Sequence, residues 1–164
     1  MGVVPDETGY IEVNENYVFP GGIHVGTSDN IYSNGYISFD ITDLAGAEVV
    51  SVTLRMDLDR REYGEYGDRS PLGNLRIGTL DYGTGQLSLS ARDIPAKMLV
   101  QLPNSITDIS YSGDELANEL QKNIDAASDR FQLKVYWSHP SIDGVRGGLR
   151  YLQEDIHLTV QYTE

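Results

Sequence analysis

The stretch that decides the fold is residues 50–59, which read VSVTLRMDLD. Its five apolar residues occupy every second position from Val50 to Leu58, and polar residues fill the positions between them. Side chains of a β-strand point alternately to opposite faces, so the pattern predicts a strand with one face in the core and the other in solvent.

Similar alternation appears elsewhere in the chain. It is clearest at residues 35–42, 131–137 and 156–162, and weaker strands are predicted at 9–13, 23–26, 75–80, 86–90 and 97–102. So many short strands imply two packed sheets, because a single sheet would leave an apolar face in water. The predicted fold class is all-β, a two-sheet antiparallel β-sandwich with a jelly-roll-like arrangement. The register places Trp137 and Tyr162 on inward faces.

One segment departs from this alternation. Leu116, Leu120 and Ile124 are four residues apart, and Ser112 precedes Glu115 with the spacing of a capping box. A short helix near residues 113–125 is therefore predicted. With 164 residues the chain is near the size of one domain, so residues 1–164 are expected to form a single β-sandwich domain.

Composition excludes several classes of partner and chemistry. The chain has 12 basic and 25 acidic residues, and a net charge of -13 repels nucleic acid. It has no cysteine for disulfides or thiolate sites, and no apolar run long enough to predict membrane insertion. No leader pattern precedes Gly2, so an exported domain would be expected to come from a longer surface or secreted protein.

Motifs for catalysis and cofactor binding are missing from the sequence. His24, His139 and His157 lie on separate predicted elements without zinc-ligand spacing, and no nucleophile elbow or phosphate-binding loop is found. The acidic residues of segment 57–68 would suit calcium, but interleaved arginines favour solvated ion pairs. We predict no cofactor and no enzyme activity, although sequence spacing carries no information on paired carboxylates.

The outward strand faces offer the best candidate site. Aromatic faces beside basic donors suit a sugar or uronate ring, and exposed loop tyrosines add contact area. The predicted ligand-binding residues are Tyr36, Arg55, Arg76, Lys134, Tyr136, Tyr63 and Tyr66. Ordinary cross-strand pairing is the simpler interpretation of the strand residues, since such pairs stabilise sheets without a ligand.

Residues 35–44, which read GYISFDITDL, and residues 47–54, which read AEVVSVTL, resemble a known pattern. The pattern is similar to that of DNRLRE-type β-sandwich domains, in which a Phe-Asp-Leu/Ile-Ser strand and a short loop precede a second strand. Residues 72–75 and 80–83, the predicted helix and the final strand match the order of elements in that family. The resemblance implies a secreted or cell-surface protein, and in some members polysaccharide binding. It implies no catalytic residue.

The leading functional prediction is a non-catalytic extracellular or cell-surface module that binds polysaccharide. The first alternative is a structural domain that assembles with other surface domains in an envelope or filament. The second is a lyase or hydrolase of acidic glycans, for which no turnover is expected. The sequence leaves the oligomeric state open.

Overall fold

A computed structural model of the chain describes residues 1–28, 30–59, 65–139 and 146–163, with the backbone alone for Ser28, Glu65 and Tyr66. These ranges contain eleven strands that pair antiparallel throughout. The strands are β1 (Gly9–Glu12), β2 (Tyr17–Pro20), β3 (Ile23–Ser28), β4 (Ile31–Asp40), β5 (Glu48–Leu58), β6 (Glu65–Gly67), β7 (Leu75–Leu80), β8 (Lys97–Leu102), β9 (Ile109–Ser112), β10 (Arg130–Trp137) and β11 (Gly147–Thr163). The all-β prediction is confirmed.

The strands form one continuous hydrogen-bonded sheet in the order β8-β7-β10-β4-β3-β11-β5-β9. Strand β1 pairs with β4 and carries β2 as its other neighbour, while β6 pairs with β11. The sheet curls, so inner-face side chains from both ends of this order enter one buried cluster. The inner face is the side that contributes to this core, and the outer face is its opposite.

Trp137 lies in the core, as its register predicts. Its indole N–H donates to the Val25 carbonyl at 3.2 Å, which links β10 to β3 across the interior. Phe131 and Phe39 are directly opposed in the β10–β4 ladder, and both are fully buried. Burial of each large apolar side chain contributes about 1.5–3 kcal/mol, so these positions fix the packing of β10 against its neighbours.

The predicted helix is confirmed as α1, which spans Asp114–Asp125. Its apolar face packs mainly against β5, with Leu116 and Leu120 fully buried. The predicted capping box is wrong, because Gly113 is the N-cap and no side chain caps the helix. The Ser112 hydroxyl instead contacts the Thr53 hydroxyl in the β5–β9 ladder.

A β-bulge changes the predicted register at the ends of β5 and β11. Gln161 pairs with Ser51 and Tyr162 pairs with Val49, so Val50 is an extra residue on its strand. Val50 is 64% exposed and Tyr162 is 45% exposed, although alternation predicts both to be inward. The extra residue breaks the two-residue repeat of β5, so the prediction fails at Val50. The repeat of β11 continues, and Tyr162 is exposed next to the end of that strand.

The strand predicted at residues 86–90 is also wrong. That region lies in residues 81–93, here called the strap, which ends in a 3-10 turn at Leu89–Asp93. The strap covers part of the outer face. Its residues Leu87 and Ala91 form a second buried cluster with Ile11 and Tyr36.

Candidate functional site

Strand register brings four of the predicted ligand-binding residues together on the outer face. Strand β10 lies between β7 and β4, with Lys134 opposite Tyr36 and Tyr136 opposite Arg76. Directly opposed residues of an antiparallel pair point to the same face, and so do residues two apart on one strand. We call Tyr36, Arg76, Lys134 and Tyr136 the Lys134 site.

Of the other three predicted residues, Arg55 lies in another part of the sheet, and the side chains of Tyr63 and Tyr66 lie outside the described residues. Arg55 lies on β5, which is bordered by β11 and β9, and its guanidinium pairs with the Asp57 carboxylate at 3.0 Å. Strand β5 belongs to the same continuous sheet, but β3 and β11 lie between it and β4 in the strand order, so Arg55 does not join the Lys134 site. Tyr63 lies outside the described residues, as does the side chain of Tyr66, whose backbone belongs to β6.

Tyr36 is fully buried, although strand alternation predicts an exposed ring. Alternation correctly assigns Tyr36 to the outer face but cannot show that another segment covers that face. The strap residues Leu87 and Ala91 pack there with Ile11, and Tyr82 meets the Tyr36 ring edge-on at 6.0 Å between centroids. Tyr36 therefore forms the floor of the site rather than an exposed platform.

The Lys134 ammonium lies between two aromatic rings. Its Nζ is 5.5 Å from the centroid of the Tyr36 ring and 5.8 Å from that of Tyr136, which is within the range of cation–π attraction. The same ammonium donates to the Arg92 carbonyl at 3.4 Å. Burial lowers the pKa of Lys134 below its ordinary value, because the charged form loses hydration.

The Tyr36 hydroxyl is buried and forms no hydrogen bond of normal geometry among the described residues, although the Asn34 side chain lies close enough to act on its pKa. Burial raises the pKa of Tyr36 to about 12, so this group is a neutral phenol at physiological pH. Close by, the Tyr32 hydroxyl donates to Oδ1 of Asn34 at 2.5 Å, and burial also raises the pKa of Tyr32. A buried polar group without a hydrogen bond of normal geometry is costly.

Asp93 is an acidic group beside the site, and its negative charge favours the charged form of Lys134. Arg76 donates from Nε to Oε1 of Gln101 at 3.0 Å, and within the described ranges neither Arg76 nor Lys134 forms an ion pair. This is notable in a chain with 25 acidic and 12 basic residues, where acidic partners are plentiful. The arrangement leaves donors available for the oxygen atoms of a ligand.

A buried polar network fastens the strap to the sheet beside this site. Oε2 of Glu7 accepts hydrogen bonds from Arg130 at 2.8 Å and Ser38 at 2.6 Å, and Oε1 accepts from the Gly85 N–H at 3.1 Å. Gln132 accepts from the Tyr82 N–H at 2.8 Å. No sequence spacing links these residues, so sequence analysis misses the network.

The network is structural in character. Burial raises the pKa of Glu7, but hydrogen bonds from Arg130, Ser38 and Gly85 outweigh it and leave that pKa below its ordinary value. Both carboxylate oxygens of Glu7 accept hydrogen bonds inside the protein, and the residue is buried, so the carboxylate is out of reach of a substrate. Glu7 therefore holds the strap in place and positions the wall of the Lys134 site.

Metal-ligating side chains do not converge in the part of the chain that the structure describes. No group of three or more His, Asp or Glu residues there could hold a metal ion. His157 is exposed on β11, as alternation predicts. Within the same ranges, no helix has the length and apolar character needed to cross a membrane.

Comparison with known proteins gives no functional assignment. No protein-family model matches the chain, and no curated protein matches it at a significant level.

Proposed function

We propose that the chain is a non-catalytic module that binds polysaccharide through the Lys134 site. The observation that carries this proposal is the pair of cations outside any described ion pair, Arg76 and Lys134, beside the partly exposed ring of Tyr136. A sugar ring can stack its C–H face on an aromatic ring while its oxygens accept hydrogen bonds from charged donors.

Each residue has a distinct role in the proposed complex. Tyr136 is partly exposed and supplies the stacking surface, while Arg76 opposite it donates to sugar oxygens. Lys134 supplies a partly desolvated positive charge, and the buried Tyr36 ring below it holds the ammonium in place through a cation–π contact. These donors favour sugars that carry a carboxylate, because a charge-assisted hydrogen bond is stronger than a neutral one.

The finer architecture and the location are part of the same proposal. We propose that β8-β7-β10-β4 and β3-β11-β5-β9 act as the two layers of a jelly-roll-like sandwich. In support, β3 and β4 are joined by only a short ladder between Gly26–Ser28 and Ile31–Ser33, and both groups contribute to one core. Such a domain would resemble the DNRLRE-type family and belong to a secreted or cell-surface protein.

Binding to polygalacturonate, measured by affinity gel electrophoresis, tests the proposed function. We expect Tyr136→Ala and Arg76→Gln each to weaken binding about tenfold, equivalent to about 1.4 kcal/mol. Arg55→Gln is the matched control, because it removes an exposed arginine from another part of the sheet, and it should leave binding unchanged. Unaltered binding in both site variants would remove the Lys134 site from the proposal.

Two alternatives are tested by parallel measurements. A domain that assembles with copies of itself is favoured by the exposed apolar residues Val50 and Tyr162 at the bulge, and light scattering would show association that rises with concentration. A lyase or hydrolase would release shorter chains from polygalacturonate, and we expect no such product.

A further inference from the structure

Four aromatic side chains form a second cluster on the strands β1, β2 and β3. Tyr10 and Phe19 are directly opposed in the β1–β2 ladder and stack with centroids 4.7 Å apart and an interplanar angle of 13°. Tyr17 lies 6.3 Å from Phe19, and His24 meets Tyr10 edge-on at 5.4 Å. We call Tyr10, Tyr17, Phe19 and His24 the β2 aromatic patch.

Cross-strand pairing explains only part of this patch, because two of its rings are exposed to solvent. The Tyr10–Phe19 stack is an ordinary cross-strand pair that stabilises the hairpin. Tyr17, however, is 60% exposed and Phe19 is 37% exposed, on a strand whose described pairing is with β1 alone. Two large rings two residues apart on one strand point to the same side, so they present a shared aromatic surface to solvent.

The charges beside the patch favour a neutral ligand. Glu12 is directly opposite Tyr17 in the ladder. Burial raises the pKa of the Tyr10 phenol, the negative charge of Glu12 raises it further, and the positive charge of Arg150 opposes this rise. The Arg150 guanidinium lies 3.9 Å from the Asp59 carboxylate, which offsets its charge. Burial raises the pKa of Glu12, and the negative charge of Glu15 adds to this rise. This acidic surrounding repels an anionic polymer.

The imidazole of His24 adds no positive charge to this balance. Burial is the main cause that lowers the pKa of His24 to about 4, and the positive charge of Arg150 contributes less. The ring is therefore neutral at pH 7. The patch thus combines aromatic faces with a carboxylate acceptor and a neutral imidazole.

We propose that the β2 aromatic patch is a second binding site, which takes a neutral sugar ring. The inference rests on the proposed polysaccharide-binding function but uses residues separate from the Lys134 site. The C–H face of the sugar packs on Tyr17 and Phe19, and the Glu12 carboxylate accepts hydrogen bonds from its hydroxyl groups.

A sugar fits this surface better than a second copy of the chain. Strand β2 is four residues long and ends at Pro20, which has no N–H, so an added strand would gain few hydrogen bonds. The net charge of -13 also repels another copy. A neutral sugar meets neither obstacle.

Amide chemical shifts in the ¹⁵N-labelled protein test the inference during titration with cellohexaose and, separately, mannohexaose. We expect at least one of these neutral hexaoses to shift the amides of β1 and β2, while those around Lys134 stay in place. Tyr17→Ala should weaken binding about tenfold or more. Tyr162→Ala is the matched control, because Tyr162 is another exposed tyrosine but lies on β11, where it pairs with β5. This variant should bind as the parent protein does.

Three results would overturn the second site. Shifts confined to the surroundings of Lys134 would reject it and leave the proposed function in place. No shift with either hexaose would also reject it, and the separate polygalacturonate measurement then decides the proposed function. Association that rises with protein concentration and disappears in Tyr17→Ala would assign the patch to contact between copies.

Discussion

Arg130 donates from Nε to Oε2 of Glu7 at 2.8 Å, and the two residues are 123 positions apart in the chain. The contact ties the segment before β1 to β10, and the Gly85 N–H donates to the other oxygen of the same carboxylate. Because Glu7 is 3% exposed, these bonds lie out of water and are strong. The strap that covers Tyr36 therefore depends on a carboxylate from a distant part of the sequence.

We predict that Glu7→Gln lowers the free energy of unfolding by about 1–3 kcal/mol, because the Arg130 guanidinium loses its buried carboxylate partner, although the exposed Asp40 carboxylate at 3.2 Å remains. The urea midpoint of unfolding measures this loss. Asp57→Asn is the control, since the Arg55–Asp57 pair is exposed and its removal should leave the midpoint unchanged. Equal midpoints for Glu7→Gln and the parent protein would contradict a structural role for the network.

Acid should reduce stability through the same carboxylate. The pKa of Glu7 in the folded protein lies below its ordinary value of 4.5, so the folded state binds the proton less readily than the unfolded chain. The contribution of Glu7 to stability is complete above that ordinary value and is lost as pH falls through the folded pKa. Urea midpoints measured from about pH 6 to about pH 3 should therefore converge for the parent and Glu7→Gln, and a constant gap would contradict this linkage.

Sequence alternation predicts most of the core but not what covers the sheet. Trp137 and Phe131 are buried where the two-residue repeat places them, because a strand has only two faces. Tyr36 lies on the predicted face, yet it is buried because the strap crosses there. That crossing depends on the Glu7 network, whose members have no fixed spacing in sequence.

The remaining mismatches also have local physical causes. Val50 is exposed because it is the extra residue of a β-bulge, and a bulge has no signal in an otherwise regular alternation. The pairing of Lys134 with Tyr36, which creates the candidate site, depends on β10 lying beside β4. Alternation assigns both residues to an outward face, but it does not say which strands are neighbours.

Tyr36→Phe should raise the free energy of unfolding by about 0.5–1.5 kcal/mol, because it removes a buried hydroxyl that forms no hydrogen bond of normal geometry in the described structure. Binding of polygalacturonate should stay unchanged, because the buried hydroxyl lies out of reach of a ligand. Chemical denaturation and affinity electrophoresis on one sample measure both outcomes. A loss of stability would show that the hydroxyl is satisfied in the folded protein.

Gly9→Ala should detach β2 from β1. A Cβ at Gly9 would lie 2.1 Å from the Phe19 carbonyl oxygen, and backbone on that side cannot move without breaking the hairpin that positions the Tyr10–Phe19 stack. We expect a loss of about 1–3 kcal/mol in the free energy of unfolding, the usual cost of forcing an extra group into a packed site. Gly2→Ala is the matched control, because a Cβ there meets nothing within 4 Å and should cost nothing measurable. Unfolding in urea measures both variants, and amide shifts confined to β1 and β2 would locate the damage. If Gly9→Ala is as stable as Gly2→Ala, the close approach of β1 to β2 does not exist in solution, and the β2 aromatic patch loses its geometric basis.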